Sequence, residues 1–135
     1  MLTIRLNSPV PLGDQIVTGL RQLIAAEHLR PGDELPPVRQ LAADLGINLN
    51  TVARAYRELE QDGLVSTGRG RGTRVTADRI PPLSRPEGGR AEVIDRLRAA
   101  LAEAKLAGLT EEEVTSIVRQ LMSGFWRSSP GVGKE

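Results

Sequence analysis

Cysteine does not occur among the 135 residues, which removes disulfides, thiolate metal sites and cysteine nucleophiles and is compatible with a reducing compartment. The one histidine, His28, cannot build a histidine-rich metal site, and its place near the end of a helical pattern offers no Ser-His-Asp constellation. Aromatics are scarce, with Tyr56, Phe125 and Trp126 the only ones, so the core must be aliphatic. No apolar run approaches the roughly 18 residues of a membrane span, and residues 1–7 lack a signal-peptide pattern; the cytoplasm is the expected location. Strong net charge is missing too: 18 basic against 17 acidic side chains leave +1. That balance conceals a local asymmetry. Residues 66–75 carry Arg69, Arg71 and Arg74 with no acid, and Glu58, Glu60 and Asp62 lie just before them.

What is present reads as globular, since 39% hydrophobic and 26% charged residues exclude wholesale disorder. Leu12, Ile16, Leu20, Leu23 and Ile24 mark one face of a first helix, which stops before the turn signal "RPGD" at 30–33. A short extended piece, Glu34 and Leu35, precedes Pro36 and Pro37, which can open a second helix because its first turn has no intrahelical donor to lose. That helix carries Val38, Leu41, Ala42 and Leu45 on one side, and Gly46 sits where a left-handed terminating residue belongs. Asn48 is an N-cap for a third helix with Val52, Ala55, Tyr56 and Leu59 inward and Gly63 at its end. Strands are expected over 64–66 and 73–76, joined by a glycine-arginine turn. Two helices joined by a tight turn and followed by a hairpin make a helix-turn-helix with a wing.

Residues 78–89, "DRIPPLSRPEGG", lack periodicity and are expected to be a linker between residues 1–77 and a C-terminal segment at 90–127, with a disordered tail at 128–135. The segment holds a helix with Val93, Ile94, Leu97, Leu101 and Ala104 on one face. Thr110 to Glu113 form a capping box that opens another, lined by Val114, Ile117, Val118, Leu121, Met122 and Phe125. About 50 residues cannot bury two such stripes unaided. They pack on the first domain or on another copy, and the linker favours the copy. Ile94, Leu97, Leu101, Val114, Ile117, Val118, Leu121, Phe125 and Trp126 are the expected dimerisation residues. The fold class is therefore mainly α with a small β-hairpin: an N-terminal winged helix-turn-helix followed by a two-helix C-terminal dimerisation segment.

With the apolar side of the third helix inward, Asn50, Thr51, Arg54, Arg57 and Gln61 face out. Amides, a hydroxyl and guanidinium groups are what hydrogen-bond base edges and phosphates when a recognition helix enters the major groove, and Arg39 can reach the flanking backbone. The stretch "GRGRGTRV" at 68–75 admits two readings. A dinucleotide fingerprint needs a helix after the glycines, and a P-loop needs a lysine and a hydroxyl residue; a β-type run and Pro81 follow instead. A basic wing tip, whose arginines reach a minor groove or phosphates, fits; a plain solvated turn is the alternative.

Residues 9–77 resemble the DNA-binding domain of the GntR family of bacterial transcription regulators. The match rests on Pro31-Gly32, Leu35-Pro36, Arg39, Leu41-Ala42, Asn50-Thr51-Val52, Ala55-Tyr56, Leu59-Glu60, Gly63-Leu64 and Gly70-Arg71-Gly72-Thr73. The Asn50 to Tyr56 pattern and the short two-helix C-terminus are similar to the YtrA-type subfamily. The resemblance implies a homodimer that binds an inverted-repeat operator on double-stranded DNA, acting as a repressor. It implies DNA contacts from Arg39, Asn50, Thr51 and the wing at Arg69, Gly70, Arg71, Gly72 and Thr73. Many members carry arginine where Leu49 and Ala53 stand here, so Asn48, Asn50 and Arg54 are expected to carry the readout, with Arg57 a further DNA contact on the outer face. An aromatic often stands where this chain has Gly13. An effector pocket of ~300 Å³ or more is not expected from two short helices within one subunit, although one could form between subunits, and the effector is unknown. No cofactor, metal, membrane or catalytic site is expected; Glu111, Glu112 and Glu113 are better explained as a helix cap. A protein-interaction module that has lost DNA binding is the alternative, and it predicts that Arg39→Ala and Arg71→Ala leave function intact.

Overall fold

The computed structural model describes residues 2–68, 70, 72–81 and 89–126. In chain order the elements are α1 (Leu12–Ala25), α2 (Val38–Leu45), α3 (Leu49–Gln61), β1 (Val65–Gly68), β2 (Gly72–Val75), α4 (Gly89–Leu106) and α5 (Glu111–Phe125). They divide between two compact units, Met1–Arg85 and Pro86–Glu135.

In the first unit three helices close around one aliphatic core. Ile16, Leu20 and Ile24 of α1 meet Leu41 and Ala42 of α2 and Val52, Ala55, Tyr56 and Leu59 of α3, and the hairpin adds Val65 and Val75. Local chemistry sets the joints. Gly46 terminates α2 at φ 70°, a backbone state that costs an ordinary L-residue dearly, and Ile47 N–H bonds back to Ala42 C=O at 3.0 Å. Two residues later the Asn48 side chain accepts from Asn50 N–H at 2.7 Å and starts α3. So short a joint leaves α2 and α3 no freedom to splay.

The hairpin pairs Val65 with Val75 and Gly68 with Gly72, so its strands run further toward the turn than the expected 64–66 and 73–76. Leu64, expected as strand, is buried between α3 and β1 as part of the bend that ends the helix, its N–H bonded to Leu59 C=O at 3.1 Å. The other side of β2 is also occupied. Leu35 N–H reaches Thr73 C=O, Val75 N–H reaches Asp33 C=O and Gly32 N–H reaches Val75 C=O, each at 2.8 Å, and Glu34 bridges Arg74. The expected extended piece at 34–35 is thus a third rung of the wing.

Two tertiary links have no counterpart in the sequence pattern. Arg21 of α1 pairs with Asp62 at the end of α3. The amide of Gln15 accepts from Arg5 N–H at 2.7 Å and donates to Arg5 and Val10 C=O at 2.9 Å, which lays the N-terminal arm along α1. Leu2 and Ile4 then pack on the core edge.

In the second unit α4 and α5 are joined by a turn through Gly108. The capping box at the start of α5 is complete: Glu113 N–H donates to Thr110 Oγ1 at 3.1 Å, and Thr110 N–H donates to Glu113 Oε1 at 2.8 Å. Neither helix has a buried residue. Val93, Ile94, Leu97, Leu101, Ile117, Val118, Leu121 and Met122 are 37–60% exposed. Phe125 stands edge-on to Trp126, ring centres 6.3 Å apart. An open trough of about 500 Å³ lies between Leu101, Lys105, Leu109, Glu111, Val114 and Thr115.

Candidate nucleic-acid interface

The outward side of α3 is polar from its first turn. Asn50, Arg54, Arg57 and Gln61 are exposed, and among the described residues no ion pair engages the two arginines, so both guanidinium groups are free for phosphate or base. Arg39 is equally exposed in the first turn of α2. Its position relative to α3 is fixed by Tyr56, whose hydroxyl donates to Pro36 C=O at 2.6 Å across the helix pair. Burial seals that phenol and pushes its pKa from 10.0 up to about 12.

Other expected contacts are less free. The Asn48 side-chain oxygen accepts from Asn50 N–H in capping α3, which ties that side chain to the helix start. Thr51 is half-buried and leans toward α1, where it lines an open cleft of about 400 Å³ with Pro11, Gly13, Asp14, Arg54 and Glu58. That cleft lies beside Gly13, where no side chain stands to fill it. Gly70 and Gly72 are exposed at the wing, and Gly72 takes φ 73° there. Arg69 and Arg71 lie outside the described residues.

The Thr73 side chain, one of the expected contacts, turns inward. It is only 8% exposed, its hydroxyl 3.1 Å from Thr67 Oγ1, and it shares the inner face of β2 with Val75. Residues two apart on a strand point the same way, so the apolar Val75 already carried the signal that Thr73 turns inward. Arg74 points out, but its guanidinium donates to Gly32 C=O at 3.0 Å and pairs with Glu34 at 3.8 Å, holding the base of the wing.

Comparison with known proteins settles the class of this arrangement. The family described as "Bacterial regulatory proteins, gntR family" matches residues 12–75, from the start of α1 to the end of β2. The HTH-type transcriptional repressor YtrA of Bacillus subtilis (strain 168) is 33% identical over 121 residues, covering 90% of this chain and 92% of that protein. The chain belongs to the GntR family. Among solved structures, YtrA from Sulfolobus acidocaldarius, a GntR-family transcription factor, aligns with a TM-score of 0.58 at 34% identity over 75% of this chain and 97% of its own. A protein described as a transcriptional antiterminator from Listeria monocytogenes EGD-e aligns with a TM-score of 0.73 at 25% identity, over 96% of both chains.

As a GntR-family protein of the YtrA type, the chain is a DNA-binding regulator of transcription, and its relatives are regulators rather than enzymes. The family match spans all the described polar groups on α2, α3 and the wing, whereas α4 and α5 lie beyond it. Among the described residues, no cluster of His, Cys, Asp or Glu could hold a metal, and no helix is long and apolar enough to cross a membrane. One surface residue of the GntR unit, named above only as a departure from the family's arginine, was given no role by the sequence. Leu49, the first residue of α3, is 39% exposed beside the polar contacts.

Proposed function

We propose that this GntR regulator works in the cytoplasm as a homodimer that represses transcription from an inverted-repeat operator. Each copy lays α3 in a major groove with its wing beside it. The observation that carries the proposal is the apolar surface of α4 and α5, whose eight large side chains are 37–60% exposed in a single copy. Ile94, Leu97 and Leu101 on α4, and Val114, Ile117, Val118 and Leu121 on α5, join Phe125 and Trp126 in a surface suited to its own copy. A specific interface takes about 800 Å² from each partner, and two helices of 18 and 15 residues offer that scale of surface. A two-fold protein axis imposes a two-fold operator, which is why the repeat is inverted. In this reading residues 1–77 bind DNA, 78–89 link, 90–127 dimerise and 128–135 are a tail. The repressor sign follows the description of the B. subtilis relative.

Light scattering on the intact chain and on Leu121→Glu, with titration of the chain's own upstream DNA against a scrambled duplex, tests the proposal. The wild type should be a dimer that prefers its own DNA at least tenfold and lowers transcription from it. The variant should be a monomer whose preference collapses. A monomeric wild type, or a dimer that Leu121→Glu leaves intact and fully binding, would refute the assignment.

A further inference from the structure

An exposed leucine at the tip of a recognition helix needs a reason. The residue before the cap, Ile47, packs on the core, but Leu49 stands outside the core cluster. Four residues on, half-buried Ala53 occupies the same side of α3, so the pair makes a small apolar strip one turn long. Polar Asn50 and Arg54 run alongside it. With the Asn48 side chain tied to the helix start, the first turns of α3 present the Asn50 amide, the Arg54 guanidinium and this strip.

We infer that Leu49 and Ala53 read thymine through its C5-methyl group, making them specificity-determining residues of the operator contact. The thymine methyl is the apolar feature of the major groove; guanine, cytosine and adenine edges present hydrogen-bonding groups there. Against a methyl, a leucine side chain excludes water at no polar cost. Against guanine O6 and N7 or the cytosine amine it leaves those groups dehydrated and unpaired, which penalises G·C pairs. Asn50, one residue along, has the bidentate amide that suits adenine. The first turn of α3 therefore favours A·T pairs by two unlike mechanisms, one of them through carbon alone.

The inference rests on α3 being the element that enters the groove, and the test separates the two. Duplexes that bind the intact chain are enriched from a random pool, and each thymine of the winner is replaced singly by uracil, which removes only the C5-methyl. At one or two thymines per half-site the wild type should weaken about fourfold, the worth of one buried carbon. Leu49→Ala should bind thymine and uracil duplexes alike at those positions, while Leu49→Met keeps the discrimination. Thermal melting of both variants verifies that this exposed site leaves the fold unchanged. Uracil tolerated at every position, or the same sensitivity in Leu49→Ala, overturns the inference and leaves the DNA-binding reading standing. A pool that yields no enriched duplex overturns both.

Discussion

Tyr56→Phe is the substitution whose outcome the structure constrains most tightly. It deletes one hydroxyl from a side chain only 4% exposed and removes the donor that Pro36 C=O accepts at 2.6 Å. At neutral pH the cost is that of one hydrogen bond, about 1 kcal/mol, which for a unit the size of Met1–Arg85 lowers the melting temperature by about 4–8 °C. The pH dependence is the sharper test. Because the folded pKa of about 12 lies above the ordinary 10.0, the unfolded chain ionises first as pH rises. The stability linked to the protonated phenol is whole below pH 10 and declines between pH 10 and 12, by about 1.4 kcal/mol per unit. By about pH 11 the wild type has lost roughly as much as the hydrogen bond contributed, and the phenylalanine variant has lost none of it. The two stability curves should therefore cross near pH 11. Chemical denaturation followed by far-UV circular dichroism at pH 7, 10 and 11 measures the gap. Since Tyr56 is the one tyrosine, phenolate absorbance reads its ionisation directly. A gap that stays constant over that range, or a phenolate midpoint near pH 10, would show that the phenol is open to water and the argument wrong.

Two further outcomes follow from other parts of the first unit. Glu27 sits at φ 64° just past α1, a left-handed state that disfavours a side chain; Glu27→Gly should stabilise the unit by about 0.5–1 kcal/mol, seen as a higher urea midpoint at unchanged slope. Arg54→Ala and Arg57→Ala should each reduce the slope of log affinity against log salt by about 0.9 if the guanidinium meets a phosphate. An unchanged slope with relaxed sequence preference would place that arginine on a base instead.

The sequence made the local features of the fold legible. The Asn48 cap, the Gly46 stop and the Thr110–Glu113 box are each written within a few residues and stand where the pattern put them. What stayed hidden depends on partners far along the chain. Val17 is buried although the α1 pattern left it off the inward face, and Leu2 and Ile4 pack on the same core from an arm held by Gln15 that no periodicity signals. Arg21 and Asp62 are 41 residues apart and meet only once α1 and α3 cross. Leu49 stood out in the sequence as a departure from the family's arginine, but the pattern gave it no role, because exposure at the first residue of a helix depends on what packs around it.

The rung at residues 32–35 makes β2 an inner strand, with β1 on one side and the lead-in to α2 on the other. Its anchorage therefore does not depend on how the chain turns back between Gly68 and Gly72. A change of length or of arginines in that turn should leave β2 with both neighbours and the Tyr56 bond to Pro36 C=O in place. The wing is thus built like a tool holder: the bit at its end can be exchanged over evolutionary time, and the shank stays clamped.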